Sequence, residues 1–245
     1  MLKKKWGQHL LIGKGIIKKL VEFMEIKEGE VIVEIGPGTG NLTEELLKTP
    51  LKKLYLLEID LDMIKILERK FENQKVFIIH TDATKFDFSS LKEETLKVVG
   101  NLPYNVASLI IENTLYYKDF IPYAFYMIQR EVAERLQSSL SWLAIFVQTF
   151  YEISYLMSVP AKFFIPPPKV QSAFIKLKRK ENPPFEDLKS YKAFLLKIFQ
   201  HKRKMLKQKL SEELLIKAQI LPSKRVEELL LPDFLRLYEV FKISN

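Results

Sequence analysis

The stretch that decides the fold is Val31-Ile32-Val33-Glu34-Ile35-Gly36-Pro37-Gly38-Thr39-Gly40. Its first half is rich in β-branched side chains, which is typical of a buried strand. Its second half, which we call the glycine loop (residues 36–40), has three glycines, which permit a tight turn and let a ligand approach the backbone closely. A strand that leads into such a loop is typical of the ligand-binding edge of a parallel sheet.

Strand and helix patterns alternate after this stretch. They predict strands at residues 54–58, 76–79, 96–99 and 124–128, and helices at residues 42–48, 61–71, 106–117 and from Glu131 onward. Such alternation predicts an α/β fold, in which crossover helices connect the strands of a parallel sheet. Residues 151–159 and 170–178 are predicted to close the sheet as an antiparallel pair, joined by a proline-rich turn.

The pattern changes after Lys180. Asn182-Pro183-Pro184 is typical of a linker, and only helical periodicity follows, at residues 191–210, 211–219, 223–230 and 233–241. Ser211 and Ser223 are the expected N-caps of two of these helices. We therefore expect two domains: a Rossmann-like α/β domain over residues 1–180 and a small all-helical domain over residues 181–245.

The composition excludes several classes of protein. The chain of 245 residues has no cysteine, so disulfides and zinc thiolates are excluded. Its histidines, His9, His80 and His201, are isolated in sequence, and we expect no metal site. The longest apolar run, residues 142–147, is far shorter than the ~20 residues that span a bilayer. No secretory signal is evident at the N-terminus, and we expect a cytoplasmic protein without a membrane partner.

The glycine loop differs from two common phosphate-binding motifs. The dinucleotide fingerprint G-x-G-x-x-G requires glycine where this chain has Asn41, and the Gly-Lys-Ser/Thr of a P-loop does not follow. A glycine-rich loop without these features suits a nucleoside ligand that carries no phosphates, and S-adenosylmethionine is the commonest such ligand of this fold. Gly36 and Gly38 are therefore candidate cofactor contacts; the alternative is that the loop serves only helix packing.

Residues at the ends of the next two strands support this cofactor. Glu58 ends the second strand, where a carboxylate can accept hydrogen bonds from both ribose hydroxyls. Asp82 and Ala83 follow the third strand, and the Asp82 carboxylate could accept from the adenine amino group of the cofactor. Helix capping is the alternative for both acids. Together with the loop, they favour the Rossmann-like sheet of a class I methyltransferase.

The tetrapeptide Asn101-Leu102-Pro103-Tyr104, after the fourth strand, is the candidate catalytic segment. Adenine N6 is a poor nucleophile because its lone pair is delocalised into the ring. The Asn101 side-chain oxygen and the Leu102 carbonyl could accept the two amino hydrogens, so that the lone pair points at the sulfonium methyl. Pro103 would stiffen the turn, and Tyr104 could stack on an adenine taken out of its helix. A plain structural turn is the alternative. Asn101 could also touch the cofactor, and it is therefore a candidate cofactor-binding residue as well.

Phe164 precedes the rigid run Pro166-Pro167-Pro168, which follows a late strand. We expect this segment on the same edge of the sheet as the tetrapeptide. Phe164 could then supply the second face of a base sandwich, and the alternative is that it belongs to the core.

The excess of positive charge favours a polyanionic partner. The net charge is +9 and the pI is about 9.4, and residues 201–209 hold five positive charges and no acid. Such clusters bind phosphates without reading sequence, although a solvated lysine-rich face is the alternative. The candidate RNA contacts are Lys3, Lys4, Lys5, Lys202, Arg203, Lys204 and Lys207.

Four segments together resemble one known family. In order along the chain they are residues 34–43, Asn101-Leu102-Pro103-Tyr104-Asn105, Gln129-Arg130-Glu131-Val132-Ala133 and Phe164-Ile165-Pro166-Pro167-Pro168-Lys169-Val170-Gln171-Ser172-Ala173. They resemble the bacterial small-subunit rRNA adenine dimethyltransferases, whose absence confers kasugamycin resistance. The resemblance spans nearly the whole chain, from Gly7-Gln8-His9 to Lys202-Arg203-Lys204.

The resemblance implies that the enzyme uses S-adenosylmethionine to dimethylate N6 of two adjacent adenosines near the 3′ end of 16S rRNA, in the 30S subunit, during ribosome biogenesis. We expect it to act as a monomer. It also implies that Gln8, His9 and Leu11 line the cofactor site. His9 and Leu10 stand where the family usually has Asn and Phe. Two alternatives remain: a 23S rRNA adenine methyltransferase of the macrolide-resistance type, and a ribosome-assembly or transcription factor that retains the methyltransferase fold.

Overall fold

The computed structural model describes residues 9–72, 75–138 and 140–243. Its strands are β1 (Leu10–Leu11), β2 (Val31–Ile35), β3 (Lys53–Glu58), β4 (Val76–His80), β5 (Lys97–Asn101), β6 (Tyr123–Gln129), β7 (Tyr151–Val159), β8 (Phe164–Ile165) and β9 (Ser172–Arg179). Its α-helices are α1 (Lys14–Met24), α2 (Asn41–Leu46), α3 (Leu61–Lys70), α4 (Ala107–Tyr116), α5 (Arg130–Leu136), α6 (Trp142–Phe150), α7 (Leu188–Phe199), α8 (Glu212–Lys217) and α9 (Leu231–Ile243).

Seven of the described strands form one sheet, in the order β4-β3-β2-β5-β6-β9-β7. The first five in this order run parallel, and β9 is antiparallel to β6. The α/β fold with a parallel sheet is therefore confirmed. From β2 the chain moves outward to β3 and β4, and it then returns to place β5 on the other side of β2. Ligands of such sheets bind where the strand order reverses, outside the carboxyl ends of these strands.

The central strand β2 explains why the sequence forms this sheet. All five of its residues are buried, Glu34 among them, as expected of a parallel strand covered by helices on both faces. Leu20 of α1, Leu46 of α2 and Leu67 of α3 are buried in one apolar cluster, together with Leu54 of β3. This packing fixes the carboxyl ends of the parallel strands, where the predicted site residues lie.

The chain divides into two compact units. One comprises the described residues up to 133 with residues 153–179, and the other comprises residues 134–152 with the described residues from 180 onward. The predicted boundary at residue 180 assigned residues 134–152 to the first domain, and not to the unit of the C-terminal helices. They belong there because Phe146 and Phe150 of α6 contact the ring of Tyr191 of α7, at centroid distances of 6.1 and 6.2 Å.

Two predicted helices of the second unit are wrong. The helix predicted over residues 191–210 ends at Phe199, and residues 223–230 contain only a 3₁₀ turn at Val226–Glu228. The Leu206 N–H donates to the Lys224 carbonyl (2.8 Å), and Met205 forms an antiparallel bridge with Arg225. These two segments therefore satisfy each other's backbone, which the periodicity of apolar residues cannot reveal.

The remaining helices differ from the sequence prediction in smaller ways. Ser211 caps α8 as predicted, since its side chain accepts from the Leu214 N–H (3.3 Å), whereas Ser223 caps no helix. Helices α1 and α6 were not predicted. Within the described residues, no helix is both long enough and apolar enough to cross a bilayer.

Candidate active site

The glycine loop turns the chain from β2 into α2. Gly36, Gly38 and Gly40 have φ angles of +65°, +56° and +79°, a left-handed conformation that residues with a Cβ rarely adopt. Space is also short at Gly38, where a Cβ would lie 2.5 Å from Leu10 Cδ2. The Gly36 N–H donates to the Leu57 carbonyl (2.9 Å), which fixes the start of the loop against β3. The loop thus presents bare backbone to a ligand.

Glu58 ends β3 with only 3% of its surface exposed. Its Oε2 accepts from the Gly38 N–H (3.2 Å), and its Oε1 accepts from the N–H groups of Ile59 and Asp60 (both 2.9 Å). Burial raises the pKa of this carboxyl, and the three N–H groups oppose the shift. The hydrogen bond from Gly38 ties Glu58 to the glycine loop, in the position predicted for a ribose contact.

Glu34 is a further buried acid, and it was not singled out from the sequence. It is 2% exposed in β2, and its Oε2 accepts from the Thr43 hydroxyl of α2 (2.7 Å). Burial raises the pKa of Glu34 to about 8, although the Thr43 hydrogen bond opposes the shift. The carboxyl is therefore mainly protonated at neutral pH. An acid inside an otherwise apolar strand is the signal that would have found it.

The loop after β4 carries the predicted residues Asp82 and Ala83, which both contribute to the cavity described below. Asp82 is exposed, and its Oδ1 accepts from the N–H (2.9 Å) and the hydroxyl (2.7 Å) of Thr84. Asn113 Nδ2 of α4 donates to the carbonyls of Ala83 (3.1 Å) and Phe86 (2.9 Å). Asn113 therefore holds this loop against the helix, a support that no local motif reveals.

Residues 9–12, which we call the arm, are joined to both the tetrapeptide and the start of α2. Asn101 Nδ2 donates to the His9 carbonyl (2.6 Å), and Asn41 Nδ2 donates to the Leu11 carbonyl (2.8 Å). Only the nitrogen end of an amide can donate to a carbonyl oxygen, so the first contact fixes the orientation of the Asn101 amide. Its Oδ1 is therefore the end that remains to accept from a substrate.

The pairing of β1 with β8 corrects two predicted contacts. Leu11 lies opposite Phe164, and both side chains are buried in the core, with 5% and 2% exposed. Because successive side chains of a strand point to opposite faces, it is Leu10 that lines the cavity. Leu10 thus takes the place predicted for Leu11, and Phe164 packs in the core instead of forming a face for a base.

The tetrapeptide begins at the last residue of β5 and is tied to the neighbouring strand. The Leu102 N–H donates to the Met127 carbonyl of β6 (3.0 Å), and the Val106 N–H donates to the Pro103 carbonyl (3.1 Å). The Leu102 side chain is 1% exposed. The segment is thus a rigid turn anchored in the sheet.

The ring of Tyr104 is contacted from two sides. Its hydroxyl lies 2.5 Å from Ser172 Oγ, within hydrogen-bond distance. Its centroid lies 5.2 Å from that of the His9 ring, at an interplanar angle of 30°. His9 Nδ1 is in turn hydrogen-bonded to the Pro166 carbonyl (2.7 Å). Burial raises the pKa of Tyr104, so the phenol stays neutral at neutral pH.

These elements enclose a cavity of about 300 Å³, within the range of small-molecule sites. Its lining residues are His9, Leu10, Ile35, Gly36, Gly38, Leu57, Glu58, Ile59, Thr81, Asp82, Ala83, Thr84, Asn101, Leu102, Pro103, Tyr104, Asn105, Val106, Leu109 and Ile110. S-Adenosylmethionine fits this set: bare backbone at the glycine loop, the Glu58 carboxylate for a diol, the Asp82 carboxylate for an amine, and apolar side chains for a purine.

The sequence also matches the ribosomal RNA adenine dimethylase family over residues 1–242. The chain belongs to this family. It is therefore an enzyme that dimethylates adenine in ribosomal RNA, with S-adenosylmethionine as the methyl donor.

Relatives and solved structures agree with this family. Two relatives named ribosomal RNA small subunit methyltransferase A come from Persephonella marina and Sulfurihydrogenibium sp. The first is 46% identical and the alignment covers 96% of this chain and 92% of the relative; the second is 47% identical and covers 97% and 95%. A dimethyladenosine transferase from Plasmodium falciparum is 27% identical with a TM-score of 0.83, covering 96% of this chain and 98% of that one. The 23S rRNA methyltransferase ErmE is 25% identical with a TM-score of 0.74, covering 95% and 99%.

The predicted RNA contacts of the dimethylase lie partly in the second unit. Lys202, Arg203 and Lys204 follow α7 in a turn, which we call the basic turn, instead of the predicted helix. Arg203, Lys204 and Lys207 are exposed, and Lys202 Nζ donates to the Leu140 carbonyl (2.5 Å). The predicted contacts Lys3, Lys4, Lys5 and Gln8 lie outside the described residues. Among the residues that the structure describes, no group of three or more His, Cys, Asp or Glu is placed to hold a metal ion.

Proposed function

We propose that the enzyme adds two methyl groups to N6 of each of two adjacent adenosines near the 3′ end of 16S rRNA, within the small ribosomal subunit in the cytoplasm. The two relatives named for the small subunit are 46% and 47% identical, whereas the 23S rRNA methyltransferase is 25% identical. This difference supports the small subunit over the macrolide-resistance alternative.

The observation that carries the proposal is that Glu58 and Asn101 line one cavity. S-Adenosylmethionine, when bound, supplies an electrophilic methyl group on a sulfonium. Glu58 would accept from the ribose hydroxyls, and Asp82 from the adenine amino group of the cofactor. Gly36 and Gly38 would allow the ligand to lie against the loop backbone. With these contacts made, the tetrapeptide forms the wall of the cavity that faces the target adenine, which accepts the methyl group.

Asn101 and Leu102 would orient the target amino group. In the first transfer, Asn101 Oδ1 and the Leu102 carbonyl would each accept one N6 hydrogen, so that the nitrogen becomes pyramidal and its lone pair points away from both acceptors, toward the methyl group. As the bond between N6 and the methyl carbon forms and the methyl–sulfur bond breaks, N6 would release one proton to solvent. One N6 hydrogen is left for the second transfer, and one of the two oxygens would accept it. Asn101 cannot take a proton at neutral pH, so its contribution is orientation and electrostatic stabilisation. Tyr104 would stack on the flipped adenine, and Pro103 keeps the turn stiff.

The positive charges would hold the RNA backbone. Arg203, Lys204 and Lys207 are exposed, and residues 201–209 contain five positive charges without an acid, which suits contacts to phosphates. We assign cofactor binding to the unit that comprises the described residues up to 133 with residues 153–179, and RNA binding to the other unit, in an enzyme that acts as a monomer. Lys3, Lys4 and Lys5 would add phosphate contacts at the other end of the chain.

The proposal is tested by incubating the enzyme with 30S subunits that lack the modification and with methyl-labelled S-adenosylmethionine, and then mapping the label. We expect label on N6 of two adjacent adenosines near the 3′ end of 16S rRNA. Label in 23S rRNA would favour the macrolide-resistance type of target. Tight binding to 30S subunits without transfer to any rRNA would favour an assembly factor.

A further inference from the structure

We propose that Ser172 is a positioning residue for methyl transfer, whose hydroxyl holds the Tyr104 ring in the orientation in which it stacks on the target adenine. The proposal rests on the function proposed above. Ser172 belongs to the segment that begins at Phe164, where the sequence drew attention only to the aromatic residue and the prolines. Phe164 lies in the core, so the contribution of this segment to the site must come from another residue.

The contact between the two hydroxyls is short and partly buried. Tyr104 Oη lies 2.5 Å from Ser172 Oγ, and Ser172 is 0% exposed. A hydrogen bond in such surroundings is stronger than in water. It holds the ring at the atom farthest from the backbone, where a single contact restrains both side-chain torsions of a tyrosine.

Ser172 is itself fixed by the sheet. It is the first residue of β9 and lies opposite Gln129 in the antiparallel pairing with β6. The preceding residue, Gln171, accepts at its carbonyl from the Arg130 N–H (2.9 Å), and its Oε1 accepts from Arg130 Nη1 (3.2 Å). The Ser172 hydroxyl is thus presented by well-restrained backbone rather than by a mobile loop.

The tetrapeptide is also joined to β6, the strand that pairs with β9. The Leu102 N–H donates to the Met127 carbonyl of β6 (3.0 Å), two residues before Gln129. The carboxyl end of β6 therefore fixes the position of both the hydrogen-bond acceptors of the tetrapeptide and the Tyr104 ring. Their relative position matters because a displacement of about 1 Å between reacting groups can lower a rate by about a hundredfold.

His9 cannot hold the Tyr104 ring when a base lies between the two rings. The two ring centroids are 5.2 Å apart, whereas a base between two rings needs about 7 Å, or two contact distances of about 3.5 Å. A base that enters on this face of Tyr104 must therefore separate the two rings. The bond to Ser172 is on the phenol rather than on the ring face, so it persists when His9 is displaced.

Two variants remove the hydrogen bond but keep the ring: Ser172→Ala and Tyr104→Phe. Each should lower the single-turnover rate with unmodified 30S subunits by about tenfold, as expected when a reacting group loses its alignment. The Kd for S-adenosylmethionine should stay the same. The double variant should be no slower than either single variant, because both remove the same interaction.

The chain offers a matched control for stability. Thr114 Oγ1 and Tyr126 Oη are also 2.5 Å apart and buried in the first unit, but neither residue lines the cavity. Thr114→Val and Tyr126→Phe should lower the thermal midpoint without lowering the transfer rate. Three results would each overturn the inference. The Ser172→Ala variant could transfer methyl as fast as wild type, the losses of rate could add in the double variant, or the control variants could slow transfer equally.

A third variant separates this inference from the function on which it rests. Tyr104→Ala removes the ring and should slow transfer more than Tyr104→Phe. If Tyr104→Ala is slow while Ser172→Ala and Tyr104→Phe are as fast as wild type, only the positioning role of Ser172 is wrong. If Tyr104→Ala is itself as fast as wild type, the stacking role in the proposed function is wrong.

Discussion

The cofactor wall of the cavity, formed by the glycine loop and Glu58, is built differently from the target wall, formed by the tetrapeptide. The Glu58 carboxylate is held by the N–H groups of the two residues that follow it and of Gly38, which lies 20 residues away in the glycine loop. The target wall is held by Asn101 bonding to His9, 92 residues away, and by Tyr104 bonding to Ser172, 68 residues away. The cofactor wall is thus a property of one continuous strand–loop–helix–strand unit, whereas the target wall depends on segments that are distant in sequence.

Asn101→Ala should have the largest effect and should separate the two walls most clearly. It removes the candidate acceptor of the target amino group, so the single-turnover rate on unmodified 30S subunits at saturating cofactor should fall by about 10²–10³-fold. The Kd for S-adenosylmethionine should change little. Asn101→Asp keeps an accepting oxygen and should lose less activity than Asn101→Ala. A wild-type rate in the Ala variant would mean that the tetrapeptide is only a structural turn.

Asn41 provides the control for this prediction, because it also anchors the arm but does not line the cavity. Its Nδ2 donates to the Leu11 carbonyl (2.8 Å), so Asn41→Ala should loosen the arm and leave the acceptor in place. We expect a much smaller loss of rate than with Asn101→Ala. Equal losses in the two variants would indicate that Asn101 acts through the arm and not on the adenine.

Glu58→Ala should have the next largest effect, and on the opposite wall. Loss of its hydrogen bonds to the ribose should weaken S-adenosylmethionine binding by about tenfold to a hundredfold, measured by calorimetry. Transfer at saturating cofactor should be affected less than binding, which is the reverse of the pattern for Asn101→Ala. Asp82→Ala should weaken binding less, because Asp82 is exposed. Unchanged affinity in a folded Glu58→Ala variant would remove Glu58 from the site.

Glu34→Gln should change how stability depends on pH. The pKa of Glu34 is raised from 4.5 to about 8 by burial, so between these values the folded state keeps a proton that the unfolded chain releases. Rising pH then favours unfolding, by up to about 1.4 kcal/mol per pH unit. Glutamine does not titrate, so the free energy of unfolding of Glu34→Gln minus that of wild type should increase from pH 5 to pH 8. Denaturant titrations that give a constant difference would contradict this expectation.

The smallest effect is expected outside both walls, in the basic turn. Replacing Lys202, Arg203 and Lys204 with Gln should weaken binding to 30S subunits and lower the slope of log K against log salt by up to about two to three. Cofactor affinity should not change. The matched control replaces Lys14, Lys18 and Lys19, which are exposed on α1, with Gln. If both triple variants change the slope equally, overall charge rather than the basic turn governs binding.

The cofactor wall could be predicted from sequence because its signals are local. A β-branched run, three glycines and an acid at the end of the next strand lie within 28 residues, from Val31 to Glu58, and each motif keeps its meaning without knowledge of distant contacts. The parallel direction of these strands follows from the same alternation. Glu34 lay in the quoted stretch, but its burial and its bond to Thr43 depend on how α2 packs.

The target wall was predicted less completely because its geometry depends on pairings far apart in sequence. The tetrapeptide was found, but Leu11 and Phe164 were assigned to the wrong face, since the alternation of β1 and β8 is set by their pairing with each other. Ser172 was not recognised, because only the fold brings its hydroxyl to Tyr104. The helix predicted over residues 191–210 failed for the same reason, since Leu206 bonds to Lys224 across the unit.

The hydrogen bond from Asn101 to the arm has a consequence for how the sequence can drift. It ends on the main-chain carbonyl of His9, a group that every amino acid carries. Mutation can therefore exchange the side chain at position 9, as with the histidine that stands here in place of the family's usual asparagine, without breaking this bond. At position 101 the same bond requires a side-chain amide of one length. Natural variants should accordingly differ more often at position 9 than at position 101.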